Sequence, residues 1–189
     1  MAKFITIIGG EPASGKTTLM KKIISRLRIE IEIQHGLIKG YQDEASENYV
    51  LGIYQENELF AGTDKLSMAV QPDAIKFIKN KEFKHLLIEG DRLFKPSFIK
   101  ECYNVTNNVR VIILKVGEMT LKNRHKQRGD NQSESWLRAK KTTVNNIKET
   151  FPCHILNNID VFDQNICLEY IIGKDIYAQV NPSQTNLFI

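Results

Sequence analysis

The strongest chemical pattern in the chain is Gly10-Glu11-Pro12-Ala13-Ser14-Gly15-Lys16-Thr17, a G-x-x-x-x-G-K-[ST] loop followed by Thr18. The glycines let the backbone fold tightly enough for successive N–H groups to converge on phosphate oxygens. Lys16 is then placed to reach β- and γ-phosphates, and Thr17 to offer its hydroxyl to Mg2+. The flanks fit this chemistry. Phe4-Ile5-Thr6-Ile7-Ile8 reads as a buried strand, and Leu19, Met20, Ile23, Ile24 and Leu27 share one face of a helix whose positive end faces the loop. Gly10 to Thr18 are therefore assigned to an ATP site.

A second apolar run, Leu86-Leu87-Ile88, ends in Glu89-Gly90-Asp91-Arg92. An acid delivered by a buried strand beside a phosphate loop holds magnesium, directly or through water, or takes a proton from an acceptor. Sequence does not rank Glu89 against Asp91. The assignment adopted gives Thr17 and Asp91 to the metal and Glu89 to catalysis. Gly62-Thr63-Asp64-Lys65 brings a third carboxylate. Asp64 binds or deprotonates an acceptor hydroxyl, or it caps a helix together with Thr63. Arg92 is the one obvious cation for an acceptor phosphate, since no second arginine cluster stands elsewhere.

Arg124 and Arg128 lie four apart on one face of a short helix, with Lys122, His125 and Lys126 beside them. Thr120 is expected to cap that helix and Gly129 to stop it. Guanidinium groups suit the equatorial oxygens of a transferring phosphoryl group, so residues 119–135 are read as a basic lid. Charge is unevenly spread. Arg110 to Thr150 holds ten Lys/Arg against four acids, a net of +6, whereas Tyr41 to Asp64 holds six acids and no base. The basic stretch is large enough for a polyanion to feel.

Around these groups strands alternate with helices. Alternating Ile29, Ile31 and Ile33, then Tyr49–Tyr54, Val109–Val116 and Ile155-Leu156, read as strands. Helices are expected from Gln71-Pro72-Asp73, from Pro96, from Leu137 to Phe151, and from Asp163 to Ile172. An α/β domain with a mostly parallel sheet follows. At 189 residues, 42% hydrophobic and 25% charged, the chain is one domain's worth. Residues 1–175 form that domain and the polar 176–189 a tail. Neither a membrane-length apolar run nor a signal peptide is apparent, and Cys102, Cys153 and Cys167 show no metal spacing. Reduced thiols and a cytoplasmic location are expected, the host cytoplasm for a viral protein.

The loop and the alternating architecture resemble P-loop nucleoside triphosphatases. The lid, the strand-end acids and the following arginine are similar to nucleoside and nucleotide kinases, which implies a three-layer fold with a helical lid. A signalling GTPase is disfavoured, because Asn80-Lys81-Glu82-Phe83 lacks the aspartate of a guanine motif. Gly62–Pro72, Glu89-Gly90-Asp91-Arg92, and Arg124 with Gly129-Asp130-Asn131-Gln132 look like small bacteriophage P-loop kinases, among them DNA 5-hydroxymethyluracil kinases. That resemblance implies transfer of the γ-phosphoryl group from Mg2+–ATP to a hydroxymethylpyrimidine in DNA, with DNA as a partner. A free nucleoside or nucleotide is the alternative acceptor, and the rival class is an NTPase with an assembly or regulatory role.

Overall fold

The computed structural model describes residues 2–55, 61–127, 129 and 132–173. Among them seven strands, β1 (Phe4–Gly10), β2 (Ile31–His35), β3 (Ile38–Gln42), β4 (Asn48–Leu51), β5 (His85–Glu89), β6 (Val109–Lys115) and β7 (Cys153–Asn157), form one sheet. Their order is β2-β3-β4-β5-β1-β6-β7. The run from β4 to β7 is parallel, while β2–β3 and β3–β4 pair antiparallel at one edge. The helices are α1 (Lys16–Leu27), α2 (Gln71–Asn80), α3 (Pro96–Val105), α4 (Glu118–Gln127), α5 (Glu134–Thr150) and α6 (Val161–Ile172).

Alternation along the central strands builds two cores. Ile5 and Ile7 of β1, Leu86 and Ile88 of β5, and Val111 and Ile113 of β6 pack with α2, α3 and α5. Ile8, Leu87, Ile112 and Leu114 point the other way, onto Leu19, Met20 and Ile23 of α1 and Cys167 and Ile171 of α6. Three layers result, as the α/β reading requires. Strand β1 lies between β5 and β6, so its C-terminal end opens at the sheet edge where parallel α/β folds bind ligands. Register places Ile8 beside Glu89 and Gly10 beside Leu114. The phosphate loop and the β5 acids thus leave the sheet at the same level.

Several boundaries differ from the sequence reading. Strand β3 was not anticipated; Gly36, with φ 60°, turns β2 back onto it as a hairpin. Ile29 belongs to the end of α1 rather than to β2. Arg28 takes a left-handed φ of 52°, and the Ile29 N–H returns to Ile24 O at 3.1 Å, closing the helix with a buried apolar residue. Helix α4 begins at Glu118, with the Leu121 N–H bonded to Gly117 O, so Thr120 is inside it and is not its cap. Helix α6 starts at Val161, where the Asp160 carboxylate accepts from Asp163 N. Among the described residues no helix is long and apolar enough to cross a membrane. The 176–189 tail and Arg128, Asp130 and Asn131 of the lid lie outside the described residues.

Candidate active site

The loop after β1 has the shape its sequence calls for. Gly15 caps α1 with φ 89°, a conformation that costs glycine nothing, and Ala13 shares the left-handed region at φ 63°. The Ser14 N–H closes a turn to Glu11 O at 3.2 Å. Lys16 curls back over the loop, its Nζ donating to Gly10 O and Glu11 O at 3.1 Å each. Its ammonium therefore sits over the concavity that Gly10 to Thr18 surround. Thr17 and Thr18 lie in the first turn of α1.

Glu89 and Asp64, from two segments, lie within the field of Lys16, and Asp91 stands beside both. Glu89 ends β5 and is 2% exposed. Burial pushes its carboxyl up to about 8; Asp64 and Asp91 push the same way, while Lys16 and a hydrogen bond from Tyr54 oppose them. Tyr54 Oη donates to Glu89 Oε2 at 3.2 Å, and burial followed by the Glu89 charge holds that phenol well above its usual range. Asp64 is the middle residue of a one-turn 3₁₀ segment, Thr63–Lys65. Its Oδ1 accepts from the Asp91 N–H at 2.7 Å and the Arg92 N–H at 3.3 Å. Burial and the neighbouring Asp91 raise the Asp64 carboxyl, against Lys16 and those two N–H donors. Asp64 is thus a clamp on the Asp91-Arg92 turn.

Close approach at Gly62 makes this arrangement possible. Gly62 has φ 73°, and a Cβ there would run into Glu89 Oε2 and stand 3.1 Å from the Tyr54 hydroxyl. Thr63 behind it is fully buried, with a hydroxyl that finds no partner. Among the described residues no three His, Cys, Asp or Glu side chains converge as a complete metal cage. Magnesium keeps several waters and shares substrate phosphates with one or two carboxylates. Thr17 with Asp91 or Glu89 could hold it.

The whole arrangement, a phosphate loop leaving β1 level with acids leaving β5, spans the region matched by a family profile. The profile of P-loop Nucleotide Kinase3 covers residues 1–163. The chain belongs to that family. Solved structures agree on the fold of this P-loop nucleotide kinase. A gluconokinase from Sinorhizobium meliloti 1021 superposes with a TM-score of 0.53 at 12% identity, covering 94% of this chain and 98% of its own. A sugar kinase from Janibacter sp. HTCC2649 gives 0.52, also at 12% identity, over 93% and 97%. At such identity the likeness is one of fold. No protein with curated function matches the sequence.

Helix α4 meets the loop from the opposite side to the acids. Leu121 of α4 packs on Ala13 and Val116. The Arg124 guanidinium donates to Ala13 O at 3.2 Å, to Asn158 O at 3.0 Å and to Ile159 O at 2.7 Å. It ties the phosphate loop to the turn between β7 and α6. Asn158, 1% exposed, adds a second tie: its Nδ2 donates to Ser14 O at 2.6 Å. Arg92, offered from sequence as an acceptor contact, is half-buried and its Nε has no partner.

Sequence reasoning missed Tyr54, Asn158 and Lys140. Lys140 of α5 pairs with Asp91 at 2.7 Å, both side chains about a quarter exposed. Asn157-Asn158 at the end of an apolar strand was a usable signal for the second of these. Nothing local marks Tyr54 or Lys140, whose partners are distant in the chain.

Proposed function

We propose that this protein uses Mg2+–ATP to phosphorylate a hydroxyl of a nucleotide-type acceptor. The observation that carries the reading is the placing of Glu89 and Asp64 within the field of Lys16 at the mouth of the phosphate loop, with Asp91 beside both carboxyls. The loop N–H groups and Lys16 bind the donor phosphates; Thr17 and Asp91 would hold the magnesium, which supplies charge neutralisation between the phosphates. Glu89 or Asp64 orients the acceptor hydroxyl or, in its ionised form, takes the proton from it. Asp64 suits this role because Oδ2 has no protein partner among the described residues while Oδ1 is fixed. Arg124 reaches the donor from the lid side, with Arg128 expected beside it.

For the acceptor, we favour a 5-hydroxymethylpyrimidine in DNA over a free nucleoside or nucleotide. The support is the likeness of the Gly62–Pro72, Glu89–Arg92 and lid segments to phage kinases of that type. A base inside a duplex would have to be flipped or presented single-stranded. Labelled ATP is offered with hydroxymethyluracil-containing DNA, unmodified DNA and free nucleotides, each at two salt concentrations. Transfer to the modified DNA that falls steeply with salt is expected. Label entering free nucleotides alone would replace the DNA acceptor with a mononucleotide. Rapid ATP hydrolysis unaffected by any acceptor would favour a non-kinase NTPase. Lys16→Ala should abolish transfer with the fold intact, and activity within about tenfold of wild type would remove the loop from the mechanism.

A further inference from the structure

We infer that Lys95 and Lys140 form the site for a phosphate group of the acceptor, an inference that rests on the phosphotransfer reading above. The sequence offers no second arginine cluster for this purpose. The fold supplies a different solution by joining two distant segments. A cavity of about 450 Å³ lies beside the mouth of the phosphate loop, walled by Gly10, Asp91, Phe94, Lys95, Lys140 and Val144. That volume is in the usual range of small-ligand clefts. Gly10 and Asp91 put one end of the cavity at the donor phosphates, so an acceptor lying in it presents a hydroxyl to the transferring group.

The charge in this cavity is unbalanced. Asp91 is the one acid among the described residues that line it, and it is engaged by Lys140 at 2.7 Å. Lys95 immediately precedes α3 and has no acidic partner among the described residues. An entering anion therefore meets Lys95 unopposed and shares Lys140 with Asp91. Lys140 is also held in place: its ammonium stands 5.0 Å from the centre of the Trp136 ring, one turn earlier on α5. Phe94 and Val144 give an apolar wall suited to a base or sugar face. Two ammonium groups beside such a wall, one of them held by Asp91 and Trp136, recognise an anionic, partly aromatic acceptor. Two sources supply such a phosphate: a mononucleotide, or the phosphodiester beside a base presented in DNA.

Binding measured by calorimetry separates these sources and the underlying reading. The probes are 5-hydroxymethyl-2′-deoxyuridine, its 5′-monophosphate, and a single-stranded oligonucleotide carrying that base internally. At least one phosphorylated probe should bind more tightly than the nucleoside, and Lys95→Gln and Lys140→Gln should each weaken it by on the order of tenfold. ATP and nucleoside affinities should hold, and Lys140→Arg should restore most of the loss. The affected probe names the source. Equal weakening for nucleoside and phosphorylated probes, no weakening in Lys95→Gln, or no binding of any probe would overturn the site. If the lysine variants lose the phosphorylated probe but labelled ATP transfers to none, the phosphotransfer reading fails and the anion site stands. If transfer proceeds with unchanged acceptor KM in both variants, the anion site fails and the phosphotransfer reading stands.

Discussion

Tyr54 and Glu89, 35 residues apart in the chain, meet at the floor of the site, where the phenol donates a 3.2 Å hydrogen bond to Oε2 of the buried carboxyl. A buried carboxyl beside Lys16 is costly to keep, and its retention at a mouth built for phosphates argues for a chemical role. Glu89→Gln fills the same space and leaves an amide oxygen to accept from Tyr54. It should therefore unfold within about 1 kcal/mol of wild type while transfer falls on the order of 10²-fold or more. Glu89→Ala strands the Tyr54 hydroxyl and opens a cavity, and should cost about 2–4 kcal/mol. Urea unfolding and single-turnover transfer on the same preparations check both. A Glu89→Gln enzyme with wild-type transfer would leave Glu89 a structural residue.

Gly62 separates those two side chains from the Asp64 turn. Gly62→Ala would force a Cβ against Glu89 Oε2 at a φ of 73° that alanine adopts only under strain. A loss of about 1–3 kcal/mol is expected, together with reduced transfer, because Glu89 or the Asp64 turn has to shift. A variant as stable and as active as wild type would show that this contact is soft.

How far the sequence reveals this site depends on whether each partnership is local. The loop, its strand and its helix are consecutive, so one motif and two periodicities suffice to place Lys16 and Thr17. Glu89 and Asp91 are legible as strand-end acids, but their different fates are set by distant residues. Glu89 goes under Gly62 and Tyr54, whereas Asp91 meets Lys140 of α5. Asp64 is legible as a capping or acceptor residue, and its actual work as a clamp on the Asp91 and Arg92 N–H groups needs the fold. Strand β3 escaped the reading because Ile38–Gln42 alternates weakly and pairs only through hairpin contacts with its neighbours.

Arg124 spans three carbonyls from two segments, a geometry that a planar fork can satisfy and a lysine cannot. Arg124→Lys should lower kcat by on the order of 10²-fold, since the charge remains but its bidentate placement does not. If Arg124 serves only as a charge that attracts a polyanion, the variant should keep kcat and lose none of the salt dependence. Steady-state kinetics at two salt concentrations distinguish the two, and unchanged kcat would confine Arg124 to holding the β7–α6 turn.

His85 gives a pH signature of folding that is independent of catalysis. It is 3% exposed at the start of β5, stacked on Phe4 at 5.2 Å, with a buried Nε2 that has no partner. Burial, then the charges of Lys84 and Arg110, lower its pKa to about 4, against the opposing pull of Asp43. In the unfolded chain the imidazole protonates near 6.5, so between the two values the unfolded state binds more protons. Stability is therefore lost as pH falls from about 6.5 to about 4, and this residue's share amounts to about 3 kcal/mol. Other groups titrate over the same range, which makes the comparison with His85→Phe the informative one. Phenylalanine keeps the stack on Phe4 and has no proton to bind. Urea unfolding at pH 7 and pH 4.5 should show wild type losing more stability than His85→Phe, by about 2–3 kcal/mol. Parallel losses in the two proteins would mean that His85 is reached by water and titrates normally in the folded state.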